Sequence, residues 1–268
     1  MDRRELVKAL ALAGAAAPFM QLKAAQRNTY LVLVELKGAN DGLNTLVPHE
    51  SDDYRKLRPR IGVKSNDVIN IGSSANVGAL GLNASMRALE PALGEDLALI
   101  TGVGYPKQNR SHFKSIALWE TGGDGNRGAQ KGWVTESLER LYTPKDHPVL
   151  GATLQGSMGL FARGEGVYIS MARLNQLADI EVDEKPPTTN KLLNLISKRK
   201  SDLSQASKTL EQELDRYSAS RLPTRMPYGD LGGQLTDVMR VIGADLGVPV
   251  MHVQHGSFDT HEGQPWRH

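Results

Sequence analysis

The sequence predicts an α/β fold, with a mostly parallel sheet flanked by helices. Three apolar runs carry this prediction, at residues 29–36, 97–101 and 248–253. Each run is rich in strand-forming residues, and the second and third come directly after a helical stretch. Alternation of strands and helices is typical of parallel sheets, because a crossover helix joins each strand to the next.

The elements can be justified in order along the chain. The run at 29–36 is almost continuously apolar, which is typical of a central strand buried on both faces. Helices over about 83–93 and 231–246 precede the other two runs. Leucines at helical spacing predict a helical excursion at about 190–221, preceded by a linker at 183–189. Its many charged and polar residues indicate a surface helix or helix pair, not a core element.

Composition excludes several classes of function. The chain of 268 residues has no cysteine, so disulfides and thiol chemistry are excluded, and any metal must be held by His, Asp, Glu or similar ligands. With 32 basic and 30 acidic residues the net charge is +2, too small a field to indicate nucleic-acid binding. We expect no stable membrane span in the mature form.

The N-terminus is typical of a twin-arginine export signal. Arg3, Arg4 and Lys8 precede a short apolar stretch at 9–20, and Ala24 and Ala25 offer a cleavage site. The alternative is an amphipathic helix of the folded domain, although residues 9–20 lack a polar face. We therefore expect a signal peptide at 1–25, an α/β domain at 26–268, the translocation machinery as a partner and a periplasmic or extracellular location.

Three polar loops follow the predicted strands, where ligands bind in open α/β sheets. The first runs from Gly38 to Asn44 and contains Asp41, whose carboxylate could hold a divalent metal. Asn-Asp-Gly is also a good turn sequence, so both interpretations stay open. We assign Asn44 in this loop to substrate binding.

The second loop ends where a helix is expected to begin, at Ser111. A serine there is commonly an N-cap, but the same position can bind an anion or carry a nucleophilic hydroxyl. Arg110 and Lys114 add positive charge and are candidates for substrate binding.

The third loop concentrates potential metal ligands. Residues 255–268 hold three of the seven histidines together with Asp259. If the chain becomes helical near Thr260, then His261, Gln264 and His268 share one face. Asp259 and His261 offer the oxygen and imidazole ligands that zinc prefers, with His268 as a further candidate. The alternative is a set of turn and capping residues. In either case we expect His252 to turn inward on its strand, as a core residue or as a residue that supports the metal ligands.

Several segments together resemble the domain of unknown function 1501 family. They are Leu-Lys-Gly-Ala-Asn-Asp-Gly-Leu-Asn, Arg-Ser-His-Phe with Trp-Glu-Thr-Gly, Gly-Trp, and Gly-Ser-Phe-Asp-Thr-His-Glu-Gly-Gln. Members of this family are similar in fold to the alkaline phosphatase and sulfatase superfamily, which cleaves phosphate and sulfate esters. The resemblance implies Asp41 in one metal site, Asp259, His261 and His268 in another, and Ser111 as nucleophile. It also implies a later Asp-His-Gly segment that this chain lacks, so we expect a C-terminally truncated member.

The leading functional hypothesis is an exported hydrolase of small or polymeric anionic esters that uses a divalent metal such as Zn, Mn or Ca. One alternative is a non-catalytic binding protein of the same fold, for which Lys107, Arg110 and Lys114 would provide positive charge. Another is an inactive truncated fragment.

Overall fold

The computed structural model describes residues 29–108, 110–123, 130–142, 147, 149–174, 189–217, 226 and 228–267. The predicted export signal, residues 183–188 of the predicted linker, and His268 lie outside the described residues. The chain divides into two compact units. The parallel-sheet unit comprises residues up to Glu35 and Phe113–His255, and the antiparallel-sheet unit comprises Leu36–His112 and the chain from Gly256 onward.

The described strands, in chain order, are β1 (Leu31–Leu36), β2 (Leu46–Val47), β3 (Val68–Ser74), β4 (Gly78–Asn83), β5 (Gly151–Leu154), β6 (Tyr168–Met171) and β7 (Val250–His255). The described α-helices are α1 (Gly42–Thr45), α2 (Asp52–Leu57), α3 (His112–Thr121), α4 (Trp133–Leu141), α5 (Lys191–Arg216), α6 (Asp230–Gly243) and α7 (Gln264–Arg267). Short 3-10 helices occupy Ser65–Asp67, Ala84–Ala92 and Gly159–Phe161.

The parallel-sheet unit is built on a four-stranded sheet with the order β1-β7-β5-β6. Strand β5 pairs in parallel with both β6 and β7, so the predicted α/β class with a mostly parallel sheet is confirmed. Strand β1 forms where the sequence predicts it, but it lies at one end of this sheet, and Val34 is 48% exposed. The prediction of a central, doubly buried strand was therefore wrong, because an apolar run reveals strand propensity but not strand order.

Side chains alternate between the two faces of this sheet, and helices cover both. Met251 and Val253 of β7 pack in a core cluster with residues of α5 and α6, among them Leu210 and Val238. Val250 faces the other way, into a second cluster that includes residues of α4. The apolar period of two along β7 thus matches a sheet buried on both sides.

The antiparallel-sheet unit contains a small sheet that the sequence reading did not predict. Strand β4 pairs antiparallel with β2 on one side and with β3 on the other. The predicted helix at 83–93 is a 3-10 helix over Ala84–Ala92. The predicted strand at 97–101 is absent from the described structure, where Leu97 forms only an isolated bridge with Leu93.

The helical excursion predicted at 190–221 is one helix, α5, over its described part. Ala206, Leu210 and Leu214 in its second half are buried in the core, so the expectation of a purely surface element was wrong. Polar residues dominate the composition of this segment, but three small or apolar residues at helical spacing are enough to dock one face. None of the helices in the described ranges is both long and apolar enough to cross a bilayer.

Candidate functional site

The three predicted loops meet within the antiparallel-sheet unit. Phe258 donates its backbone N–H to the carbonyl of Lys37 at 3.4 Å, and a Cβ on Gly38 would lie 2.8 Å from the backbone nitrogen of Asp259. The side chain of Gln264 donates to Asp41 Oδ2 at 2.5 Å. These contacts place the loop after β1 directly against the segment after β7.

Asp259 is the point where two histidines converge. Its Oδ1 lies 3.1 Å from His261 Nε2, and its Oδ2 lies 3.8 Å from His112 Nε2. All three side chains are open to solvent, with Asp259 46% and His112 47% exposed. The carboxylate therefore brings the second and third loops together, and a solute can reach it.

His112 is the residue of this cluster that the sequence analysis missed. It comes directly after Ser111 and begins helix α3, inside the Arg-Ser-His-Phe segment. Its position next to Ser111 was the one sequence feature that could have pointed to it. The spacing of residues does not show that His112 contacts the loop that contains Asp259.

Ser111 stands directly before α3, at the helix start where the sequence placed it, and its side chain is exposed. Arg110 is also exposed, as is Lys114, which belongs to α3 and to the parallel-sheet unit. A hydroxyl at a helix start, beside one exposed cation, suits contact with an anionic ester.

Asp41 caps helix α1 and forms an ion pair. Its Oδ1 accepts the backbone N–H of Leu43 at 3.2 Å, and its Oδ2 contacts the guanidinium of Arg58. Burial of the carboxyl opposes its ionisation, but hydrogen bonds from Arg58 and Gln264 outweigh that effect and hold the pKa of Asp41 below its ordinary value. The turn interpretation of this loop thus has direct support, and a metal at Asp41 would have to displace Arg58.

Asn44 has a structural role that the sequence did not indicate. Its side chain is buried, donates from Nδ2 to the carbonyl of Ile61 at 2.8 Å, and accepts from the Tyr54 hydroxyl at 2.7 Å. The amide therefore fixes the loop from within. The assignment of Asn44 to substrate binding stays a prediction, and a substrate would have to compete with Tyr54 and Ile61 for the amide.

The predicted helical face of His261, Gln264 and His268 does not form as expected. Helix α7 begins at Gln264, and His261 precedes it in a bend with a positive φ of 33°. Gly263, with its φ of 69°, separates the two segments. His268 lies outside the described residues, so its assignment as a ligand stays a prediction.

The side chains around Asp259 are of the kinds that bind a metal, but too few of the described ones are grouped to form a complete site. Carboxylate and imidazole donors suit zinc or a similar ion, and such an ion bonds nitrogen at about 2.0–2.1 Å, which sets donor atoms a little over 3 Å apart. The Asp259–His261 separation of 3.1 Å is of this size. Among the described residues, however, no three His, Asp or Glu side chains are grouped so as to hold a metal ion.

Two other polar clusters lie in the parallel-sheet unit. Thr153 Oγ1 lies 3.0 Å from His252 Nδ1, and His252 Nε2 lies 3.2 Å from Glu35 Oε2, which links β5, β7 and β1. Thr153 and His252 are buried, and a Cβ on Gly156 would collide with both. This confirms that His252 is turned inward, where it links strands and is closed to substrate.

The second cluster borders an open cleft of about 700 Å³ lined mostly by charged residues of α4 and its neighbours. Glu139 organises it, with Lys131 Nζ at 2.6 Å and the backbone N–H of Gly166 at 3.3 Å. Burial opposes ionisation of Glu139, but these partners hold the pKa of its carboxyl below the ordinary value. The charged residues of this cleft pair mainly with one another. The cleft is therefore a weaker candidate for a reactive site than the loops around Asp259.

Comparison of the chain with protein-family models, with curated proteins and with solved structures finds no match.

Proposed function

We propose that this chain is an exported, metal-dependent hydrolase of phosphate or sulfate esters. The observation that carries the proposal is the convergence on Asp259 of His261, at 3.1 Å, and of His112, at 3.8 Å, with Ser111 next to His112 in the chain. A serine next in the chain to a histidine of a carboxylate–imidazole cluster supplies the residue types that metal-assisted ester transfer uses.

Each residue has a proposed part in the reaction. Asp259 and His261 would hold the divalent ion, with His268 as a further ligand, and Arg110 would attract the anionic ester. A bound metal lowers the pKa of a nearby hydroxyl and neutralises developing negative charge. Ser111 Oγ would attack phosphorus or sulfur, the bond to the alcohol oxygen would break, and water would then release the anion and restore the serine.

Export is the second part of the proposal. Arg3 and Arg4 before an apolar stretch, followed by Ala24 and Ala25, support transfer by the twin-arginine route to the periplasm or beyond. That route carries folded proteins, so the metal could be inserted before transport.

Turnover of aryl phosphates and aryl sulfates tests the activity, measured on the full chain with Zn, Mn or Ca added in turn. We expect Ser111→Ala to lose at least about 100-fold in kcat, because the variant lacks the attacking hydroxyl. Ser73→Ala, at an exposed serine of β3 in the same unit, is the matched control and should keep full activity. Full turnover by Ser111→Ala would remove the nucleophile assignment.

A non-catalytic anion-binding protein is the alternative that one observation favours. The Asp41 carboxylate already contacts Arg58 and Gln264, so a metal would have to displace Arg58 to bind it. Lys107 and Arg110 are exposed shortly before the start of α3, where they could contact an anion. Calorimetry with sulfate or phosphate, with and without chelator, distinguishes the two. Anion binding that persists in chelator, without turnover under any metal, would establish the binding protein and reject the hydrolase.

A further inference from the structure

Helix α5 carries apolar residues on one face in both of its halves. Leu192 and Ala206 are 14 residues apart, as are Ile196 and Leu210, and 14 residues are close to four helical turns of 3.6 residues. These residues therefore lie on the same face of the helix. The face that docks in the core at the C-terminal half continues toward the N-terminal end, with an interruption at Arg199, which lies seven residues from both Leu192 and Ala206.

The two halves of this stripe have opposite surroundings. In the second half, Ala206, Leu210 and Leu214 are 3%, 6% and 5% exposed. In the first half the apolar side chains are between 46% and 63% exposed, at Leu192, Leu193, Leu195 and Ile196. Residues 191–201 thus present to solvent the same kind of apolar side chains that the second half of the helix buries in the core.

The exposed first part of helix α5, at 191–201, carries only positive charge. Residues 191–201 contain Lys191, Lys198, Arg199 and Lys200 and no acidic residue. Lys191 and Lys198 are seven residues apart and so lie on one edge of the stripe, whereas Lys200 lies on the opposite edge. Long lysine side chains at both edges can reach past an apolar face to a negatively charged layer above it.

The exposed half is held in place by the parallel-sheet unit. Arg199 donates to the backbone carbonyls of Glu165 and Gly166, the second at 3.3 Å. The helix therefore presents the stripe on a fixed base formed by its own unit. Lys198 pairs with Asp202 one turn farther along, at 3.1 Å, and because this ion pair is exposed it holds the lysine only weakly.

We propose that residues 191–201 dock the protein on an anionic lipid surface, with the leucines and Ile196 among the acyl chains and the lysines at the headgroups. An apolar stripe flanked by lysines is the pattern of a helix that lies in a membrane interface without crossing it. Positive charge on both edges, with no acidic residue among these positions, is complementary to anionic headgroups.

Co-sedimentation of the full chain with vesicles tests this proposal. We expect binding to vesicles of equal parts phosphatidylglycerol and phosphatidylcholine, little binding to phosphatidylcholine alone, and loss of binding at high salt. Leu192→Gln with Ile196→Gln should weaken binding by about tenfold or more, and Lys198→Gln with Lys200→Gln should do the same.

Leu57 and Lys56 provide matched controls on helix α2, since Leu57 is 82% exposed and Lys56 is its exposed neighbour. Leu57→Gln and Lys56→Gln should bind vesicles as the unchanged chain does, and circular dichroism should show all variants folded. Equal binding to neutral vesicles, or equal loss in the controls, would overturn the proposal. Absence of vesicle binding together with a dimer that Leu192→Gln and Ile196→Gln dissociate would identify a second copy as the occupant instead.

Discussion

Gly38 is the residue through which the loop after β1 touches the segment that carries Asp259. Its φ is +102°, and an added Cβ would lie 2.8 Å from the Asp259 nitrogen, closer than such atoms approach. We expect Gly38→Ala to destabilise the protein by more than the roughly 1–2 kcal/mol that a left-handed alanine costs. It should also displace Asp259 and weaken zinc binding, as measured by urea unfolding and calorimetry.

Gly72 is the matched control for that substitution. Its φ of +106° is nearly the same, but a Cβ there would meet nothing within 4 Å. Gly72→Ala should therefore show the conformational cost alone and leave zinc binding unchanged. Equal effects of the two substitutions on zinc binding would mean that the contact with Asp259 does not shape the site.

At the residue scale, the sequence predicted positions better than side-chain directions. Ser111 does stand at a helix start, because the change from a polar loop to an apolar helix is visible in the sequence. Asn44 turns inward to Tyr54, and His112 reaches Asp259. Both contacts depend on how distant segments pack, which the spacing of residues along one chain does not contain.

The two halves of helix α5 differ in what they contribute to stability. Leu210 is buried in the core cluster, so Leu210→Ala should cost about 2–5 kcal/mol by lost burial and a remaining cavity. Leu193 is half exposed on the first half of the same helix, and Leu193→Ala should change stability by about 0.5 kcal/mol or less. Equilibrium unfolding in urea measures both, and similar losses would contradict the division of the helix.

At the element scale, long periodic segments were the predictable ones. Helix α6 and strand β7 lie within a few residues of their predicted bounds. The spacing of apolar residues over several helical turns, or along a whole strand, is enough to identify such an element. The strand predicted at 97–101 does not form in the described structure, since a run of five residues does not by itself supply a neighbouring strand to pair with. The hairpin of β3 and β4 was missed because both strands contain glycine and asparagine, which are poor strand formers.

At the scale of the whole molecule, the candidate site belongs to one unit. Glu35 and Leu36 mark the boundary in β1, so the sheet and the loops that follow it fall in different units. The sequence suggested one α/β domain, because strand–helix alternation says nothing about which loops cluster with one another. Asp41, Ser111, Asp259 and His261 all fall in the antiparallel-sheet unit, and this grouping supports a shared site.

That grouping predicts where a metal should act. Zinc at about 100 times its Kd adds roughly 2.7 kcal/mol to the stability of whatever it binds in the folded state. Hydrogen exchange with and without zinc should therefore show added protection in 36–112 and 256–267, the unit that holds Asp259, His261 and His112. Helices α5 and α6 of the parallel-sheet unit should keep their exchange rates, and chelator should reverse the effect.

Asp259→Ala and His261→Ala should abolish this added protection, because each removes a donor from the pair whose atoms lie 3.1 Å apart. His112→Ala should reduce it less, since its Nε2 stands farther from the carboxylate, at 3.8 Å. Asp67→Asn, at an exposed carboxylate of the same unit, serves as the control and should leave the zinc response intact. Protection that rises equally in both units, or that survives Asp259→Ala, would place the metal elsewhere and remove the chemical basis of the proposed hydrolase.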